Sequence, residues 1–192
     1  MDRGRGGAIE YGAMPASIPE TDLQSPLVRE GLAYWRSRKG DRLMPARADF
    51  DPLLDKPALV PNMMLKDVQL QPLDFRYRLT GSAIRHHLHR DLSGQWMTQI
   101  PGQGPGNPLW DYHARTVATS APVFLRPDYV GPHQQFLQIE SVILPLAGDH
   151  QTVDMLMIFV AFLRATDVAR SPGTGAAPDA RVPDLDPAWA RD

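Results

Sequence analysis

The chain contains no cysteine. That absence excludes disulfides, thiolate zinc sites, iron–sulfur clusters and cysteine nucleophiles, and with them any chromophore held on a thiol, cysteinyl-flavin photochemistry included. Long apolar runs are missing too. The nearest candidate for a membrane helix, Met155 to Leu163, falls far short of the roughly 18–20 residues such a helix needs. Basic charge is neither in excess nor clustered: 20 Lys and Arg stand against 22 Asp and Glu, which gives no electrostatic footprint for nucleic acid. The opening MDRGRGGAIEYGAMP has no continuous apolar core of the kind a secretory signal requires, so the expectation is a cytoplasmic protein with no membrane partner. Catalytic signatures are absent as well. There is no Gly-x-Ser-x-Gly elbow and no zinc-protease motif, and no Lys-Ser/Thr pair follows the glycines of MTQIPGQGPGNP to make a phosphate cradle.

What is present centres on residues 136–162. FLQIESVILPL, the polar AGDHQ and TVDMLMIFVAFL form two apolar runs around turn chemistry, which predicts a long antiparallel hairpin. In the second run Val153, Met155, Met157 and Phe159 share one face, and Leu156, Ile158, Val160 and Phe162 the other. An antiparallel strand with one wet face alternates apolar with polar residues. This one does not, so both of its faces need a cover.

One cover is legible upstream. Ser25-Pro26 is an N-cap followed by a proline at the first helical position. Val28, Leu32 and Trp35 then recur at helical spacing, and Arg36, Arg38, Lys39 and Gly40 close the helix. These three apolar residues are the candidate interface of the N-terminal helix, on its own sheet or on that of a second copy. Strands are predicted at Met63–Val68 and Asp74–Thr80, the latter with Phe75, Tyr77 and Leu79 on one face. A short helix follows Gly81. A longer one begins at Asn107-Pro108 with Trp110, His113 and Val117 on one side, and a strand starts after Pro122. The fold class expected is α+β: a five-stranded antiparallel sheet with helices on one face and the N-terminal helix on the other. Composition places loose tails at residues 1–22 and 165–192, the second carrying an isolated Trp189, around a folded unit at 23–164.

Two motif blocks carry a resemblance. The first runs through Tyr34, Trp35, Gly40, Met44, Pro45, Arg47, Asp51 and Pro52; the second through Arg78, Leu79, Gly81, Asp91, Leu92 and Gly94. Together they resemble the PAS-domain superfamily, and within it a small bacterial, mainly alphaproteobacterial family of single-domain proteins, over roughly residues 27–163. His89 and the Gly/Pro-rich insertion at Gly102–Gly106 depart from the family pattern. The resemblance implies a stand-alone sensory or regulatory domain in bacterial signal transduction, with a small-molecule pocket between sheet and helices, a signalling-protein partner and a homodimeric state. A ligand-free interaction adaptor is the alternative, and a small α+β pocket enzyme using His113 is the alternative of another class.

The candidate pocket residues are Tyr77, Trp110, His113, Val117, Met155 and Met157, the methionines because flexible thioethers suit an adaptable wall. No cofactor is identified. Haem enters through His113, which lies on the helix that supplies the iron ligand in haem-binding PAS domains, with a lone histidine as its sole support. Asp111 and His113 are two apart on a helix and do not face each other, which makes a poor acid–base pair. His86, His87 and His89 read as a solvated helix end and not as a metal site. Arg76 and Arg78 read as a structural strand face in preference to an anion clamp.

Overall fold

The computed structural model describes residues 17–88, 91–129 and 133–168. Helix α1 spans Pro26–Lys39, begins where Ser25 Oγ accepts a hydrogen bond from Val28 N, and ends at Gly40 with φ 55°. A proline-punctuated connector follows, holding a single turn, α2 (Pro52–Asp55), capped by the Asp51 carboxylate. Strands β1 (Met63–Leu70) and β2 (Leu73–Thr80) form the first hairpin. Helices α3 (Ser82–Leu88) and α4 (Pro108–Thr119) come next, α4 capped by the Asn107 side chain on Leu109 N. Then follow β3 (Val123–Leu125), β4 (Phe136–Leu146), β5 (Met155–Arg164) and a last turn, α5 (Ala165–Val168).

The five strands make one antiparallel sheet in the order β2-β1-β5-β4-β3. The expected α+β class and its two covers are what the structure contains. Strand β5 lies at the centre, paired with β1 on one side and β4 on the other.

The face question resolves through Gly31 on α1. A methyl group added there would stand 2.3 Å from the Phe159 ring, so α1 is pressed onto the Phe159 face of β5. Pleating places Met155 and Met157 on that same face, opposite Asp67 and Leu65 of β1. The opposite face carries Leu156, paired with Lys66, and Ile158, paired with Met64, and it receives α4. Met155 and Met157 are therefore core residues beneath α1, away from the wall that holds Tyr77 and His113. The sequence reading grouped them with that wall because both faces of β5 are equally apolar. Val28, Leu32 and Trp35 are likewise buried in their own chain, and Trp35 Nε1 donates to Pro145 O at 2.9 Å. The α1 stripe thus packs on its own sheet and does not lie exposed for a second copy.

Residues 17–22, placed by composition in a loose tail, are held. Ile18 N donates to Phe124 O, Arg36 grips Glu20 through two bonds of 2.6 Å, and Arg126 donates to Asp22 O. In the second tail, Ala165–Val168 form α5, while residues 1–16 and 169–192, Trp189 among them, lie outside the described residues, as does His89. No helix among the described residues is long and apolar enough to cross a membrane.

Candidate functional site

The inner face of the sheet, toward α4, holds a buried charged residue. Lys66 lies on β1 between Met64 and Val68, its neighbours on the same face, and is only 1% exposed. His113 on α4 is also 1% exposed, and its Nε2 lies 2.9 Å from Lys66 Nζ. The other ring nitrogen, Nδ1, is 2.7 Å from Leu109 O. A carbonyl oxygen can only accept, so Nδ1 carries the proton and Nε2 of the neutral ring accepts from the lysine. Lys66 Nζ also lies 3.2 Å from Met97 Sδ and 4.0 Å from the centroid of the Tyr77 ring. Beyond it, Tyr77 OH donates to Gln103 Oε1 at 2.7 Å. Apolar walls enclose the set: Phe75 meets Trp110 edge-on at 4.9 Å and the His113 ring at 5.2 Å.

Electrostatics follow from enclosure. Burial drives the Lys66 amine well below the ordinary ammonium range. Burial, and after it the neighbouring Lys66 charge, pushes His113 well below the usual imidazole value, against the opposing pull of its bond to Leu109 O. Lys66 forms no ion pair among the described residues. Its three contacts are an imidazole nitrogen, a thioether sulfur and a ring face, all uncharged.

Glu140 on β4, 0% exposed, is treated differently. It accepts from Gln24 N, from Ser25 N at 2.7 Å, and from Arg126 Nε and Nη2 at 3.0 and 2.7 Å. This carboxylate fixes the entry to α1 and is fully compensated, which makes it structural.

Of the pocket candidates, the structure brings Tyr77, Trp110 and His113 together around Lys66. Val117, one turn further along α4, is half-buried against the core. Lys66, Met97 and Gln103 were missed from the sequence. The available signal for Lys66 was a charge sharing a face with Met64 and Val68. For Gln103 there was none, because it sits in the Gly/Pro-rich insertion. Asp111 is exposed, whereas His113 is buried. Both nitrogens of His113 are engaged, so an iron bound there would have to displace Lys66 from Nε2.

His87 is not the solvated end expected of it. Its ring stacks on Phe162 of β5 at 3.5 Å and bonds to Tyr129 OH at 3.0 Å. No group of three or more candidate ligands able to hold a metal ion occurs among the described residues.

The two motif blocks do structural work. Gly81 packs so tightly that a methyl group there would stand 2.3 Å from Pro61 O. Asp91 Oδ1 accepts from Ser93 N and Oγ, and this turn returns the chain to β2 through Gly94 N to Tyr77 O. Met44 and Pro45 tie down the β4–β5 turn through their carbonyls, with Ala147 N donating to Pro45 O. Arg76 and Arg78 share the Asp67 carboxylate on the outer face, at 2.7 and 3.2 Å. Beside them an open groove of about 400 Å³ runs past Arg78, Thr80, Ser82 and Arg85, and Arg85 is in turn paired with Asp91.

No curated protein matches the chain. The family comparison does return a match: the PAS domain model covers residues 23–160, from just before α1 into β5. With that match over most of its length, and with a five-stranded antiparallel sheet closed by helices, the chain belongs to the PAS domain family.

Proposed function

We propose that this PAS domain is a cytoplasmic sensory module of bacterial signal transduction that takes a small molecule between its sheet and α4 and relays occupancy to a partner protein. The observation that carries the reading is the enclosed polar set Lys66, His113, Tyr77 and Gln103, walled by Phe75 and Trp110. A sheltered, mostly apolar chamber with a few convergent polar groups is the usual form of a small-molecule site. Burying a lysine without a counter-charge costs stability that packing alone does not require. Purified protein examined by native mass spectrometry, and by thermal shift against a metabolite library, should show a retained or added small molecule. A chain with no bound mass and no compound that shifts its melting would sink the sensor reading.

A second reading, a ligand-free adaptor, draws on Leu53 and Leu54, adjacent on α2 and 71% and 81% exposed. Under that reading Leu53→Ser/Leu54→Ser abolishes recovery of a signalling partner while the melting temperature stays unchanged. An enzyme reading finds less support. His113 has both nitrogens engaged, and no nucleophile or carboxylate stands beside it among the contacts described.

A further inference from the structure

Resting on the ligand-binding reading above, we infer that the interior site selects a small monocarboxylate, whose oxygen replaces His113 as the partner of the Lys66 amine. The argument starts from how differently one molecule handles two sealed charges. Glu140 receives a guanidinium and two backbone N–H groups. Lys66 receives nothing anionic: an imidazole nitrogen at 2.9 Å, a thioether sulfur at 3.2 Å and an aromatic face at 4.0 Å. Each of these contacts stabilises an amine weakly, and together they leave one positive charge's worth of pairing open. A buried site with a single lysine and no second cation in contact matches one negative charge, which selects a carboxylate over a phosphate dianion.

The path in is the insertion loop. Gln103 is buried while its neighbours Pro101, Gly102, Pro105 and Gly106 are exposed, and its side chain meets Tyr77 OH at 2.7 Å. Gly102 and Gly106 hold φ of 75° and 86°, backbone that lets a short loop fold back over the site. Parting the Tyr77–Gln103 hydrogen bond loosens the loop over the Tyr77 ring, against which the Lys66 amine lies at 4.0 Å.

Carboxylate entry also moves a proton. Among the described residues, the titratable groups in contact with Lys66 are His113 from α4 and Tyr77 from β2. Neither is a carboxylate, and burial holds the amine well below the ordinary ammonium range, so an arriving anion raises its affinity for a proton. Affinity for the acid then weakens as pH rises, while that of an uncharged analogue does not follow it.

The test uses the full chain with butyrate, hexanoate and benzoate, each against its primary amide, by calorimetry in two buffers of different ionisation enthalpy. The acid should bind at least about tenfold tighter than the amide, as a charge-assisted hydrogen bond implies, with net proton uptake. In Lys66→Met the acid preference should vanish. Amides binding as well as acids, a retained preference in Lys66→Met, or no acid binding at all would each overturn the carboxylate inference. Should the variant fail to fold, the buffer dependence of the parent decides: acid binding without proton uptake overturns the inference. An uncharged compound binding where the acids do not would refute the carboxylate and leave the sensor reading standing. A chain that binds nothing, charged or uncharged, refutes both.

Discussion

At the scale of single residues, Lys66 gives the domain a pH signature. Its folded pKa lies well below the free value of 10.5, so between those two values the unfolded chain binds one more proton than the folded one. Stability from this group is complete above about pH 10.5 and is lost as pH falls toward the folded value. Lys66→Met removes that dependence. Urea titrations from pH 7 to 10 should show the variant's advantage over the parent growing as pH falls, approaching about 1.4 kcal/mol per unit. Parallel curves would mean that the amine stays charged in the fold. Glu140 predicts the opposite outcome on substitution. Glu140→Gln leaves Arg126 largely buried without its carboxylate and weakens the acceptor at the start of α1, so it should cost about 3 kcal/mol. A loss below about 1 kcal/mol by the same titration would show the pair to be solvated.

At the scale of elements, the contact between α1 and β5 is set by one missing side chain. In an exposed helix, alanine in place of glycine stabilises by about 1 kcal/mol. At Gly31 the added methyl group would lie 2.3 Å from the Phe159 ring, so Gly31→Ala should instead destabilise by about 1–3 kcal/mol. Phe159→Leu in the same chain should return part of that loss, and strictly additive effects would place the strain elsewhere. The elements themselves were readable from the sequence. Caps at Ser25, Asp51 and Asn107 announce α1, α2 and α4, and the double apolar period of 155–162 announces a strand covered on both sides. Which cover belonged to which face was not readable, because both faces of β5 are filled with Leu, Ile, Val, Met and Phe of similar volume. Gly31 was the local clue, since a small residue amid an apolar stripe marks where a helix approaches closely. The polar centre was legible only in part. His113 and Tyr77 stood out by residue type, whereas nothing in the residue types of Lys66 and Glu140 marks them as buried, as the folded sheet makes them.

At the scale of the whole molecule, the sheet is a partition with the buried Lys66 cluster on one side and α1 on the other. Across it the shared elements are β1 and β5: Lys66 and Leu156 point inward, while Leu65, Met157 and Phe159 point to α1. A change in packing around Lys66 therefore reaches α1 through two adjacent central strands, without passing through a loop. That arrangement fixes what the apolar stripe of α1 is for. If Val28, Leu32 and Trp35 serve their own sheet, Leu32→Ala removes buried methyl groups from a single core and should cost about 2–5 kcal/mol in folding. Its mass in solution should match that of the parent at the same concentration, because no intersubunit contact is lost. Light scattering beside chemical denaturation separates the cases. A variant of unchanged stability and reduced mass would place the stripe between copies, and would require α1 to leave the Phe159 face that Gly31 so closely fits.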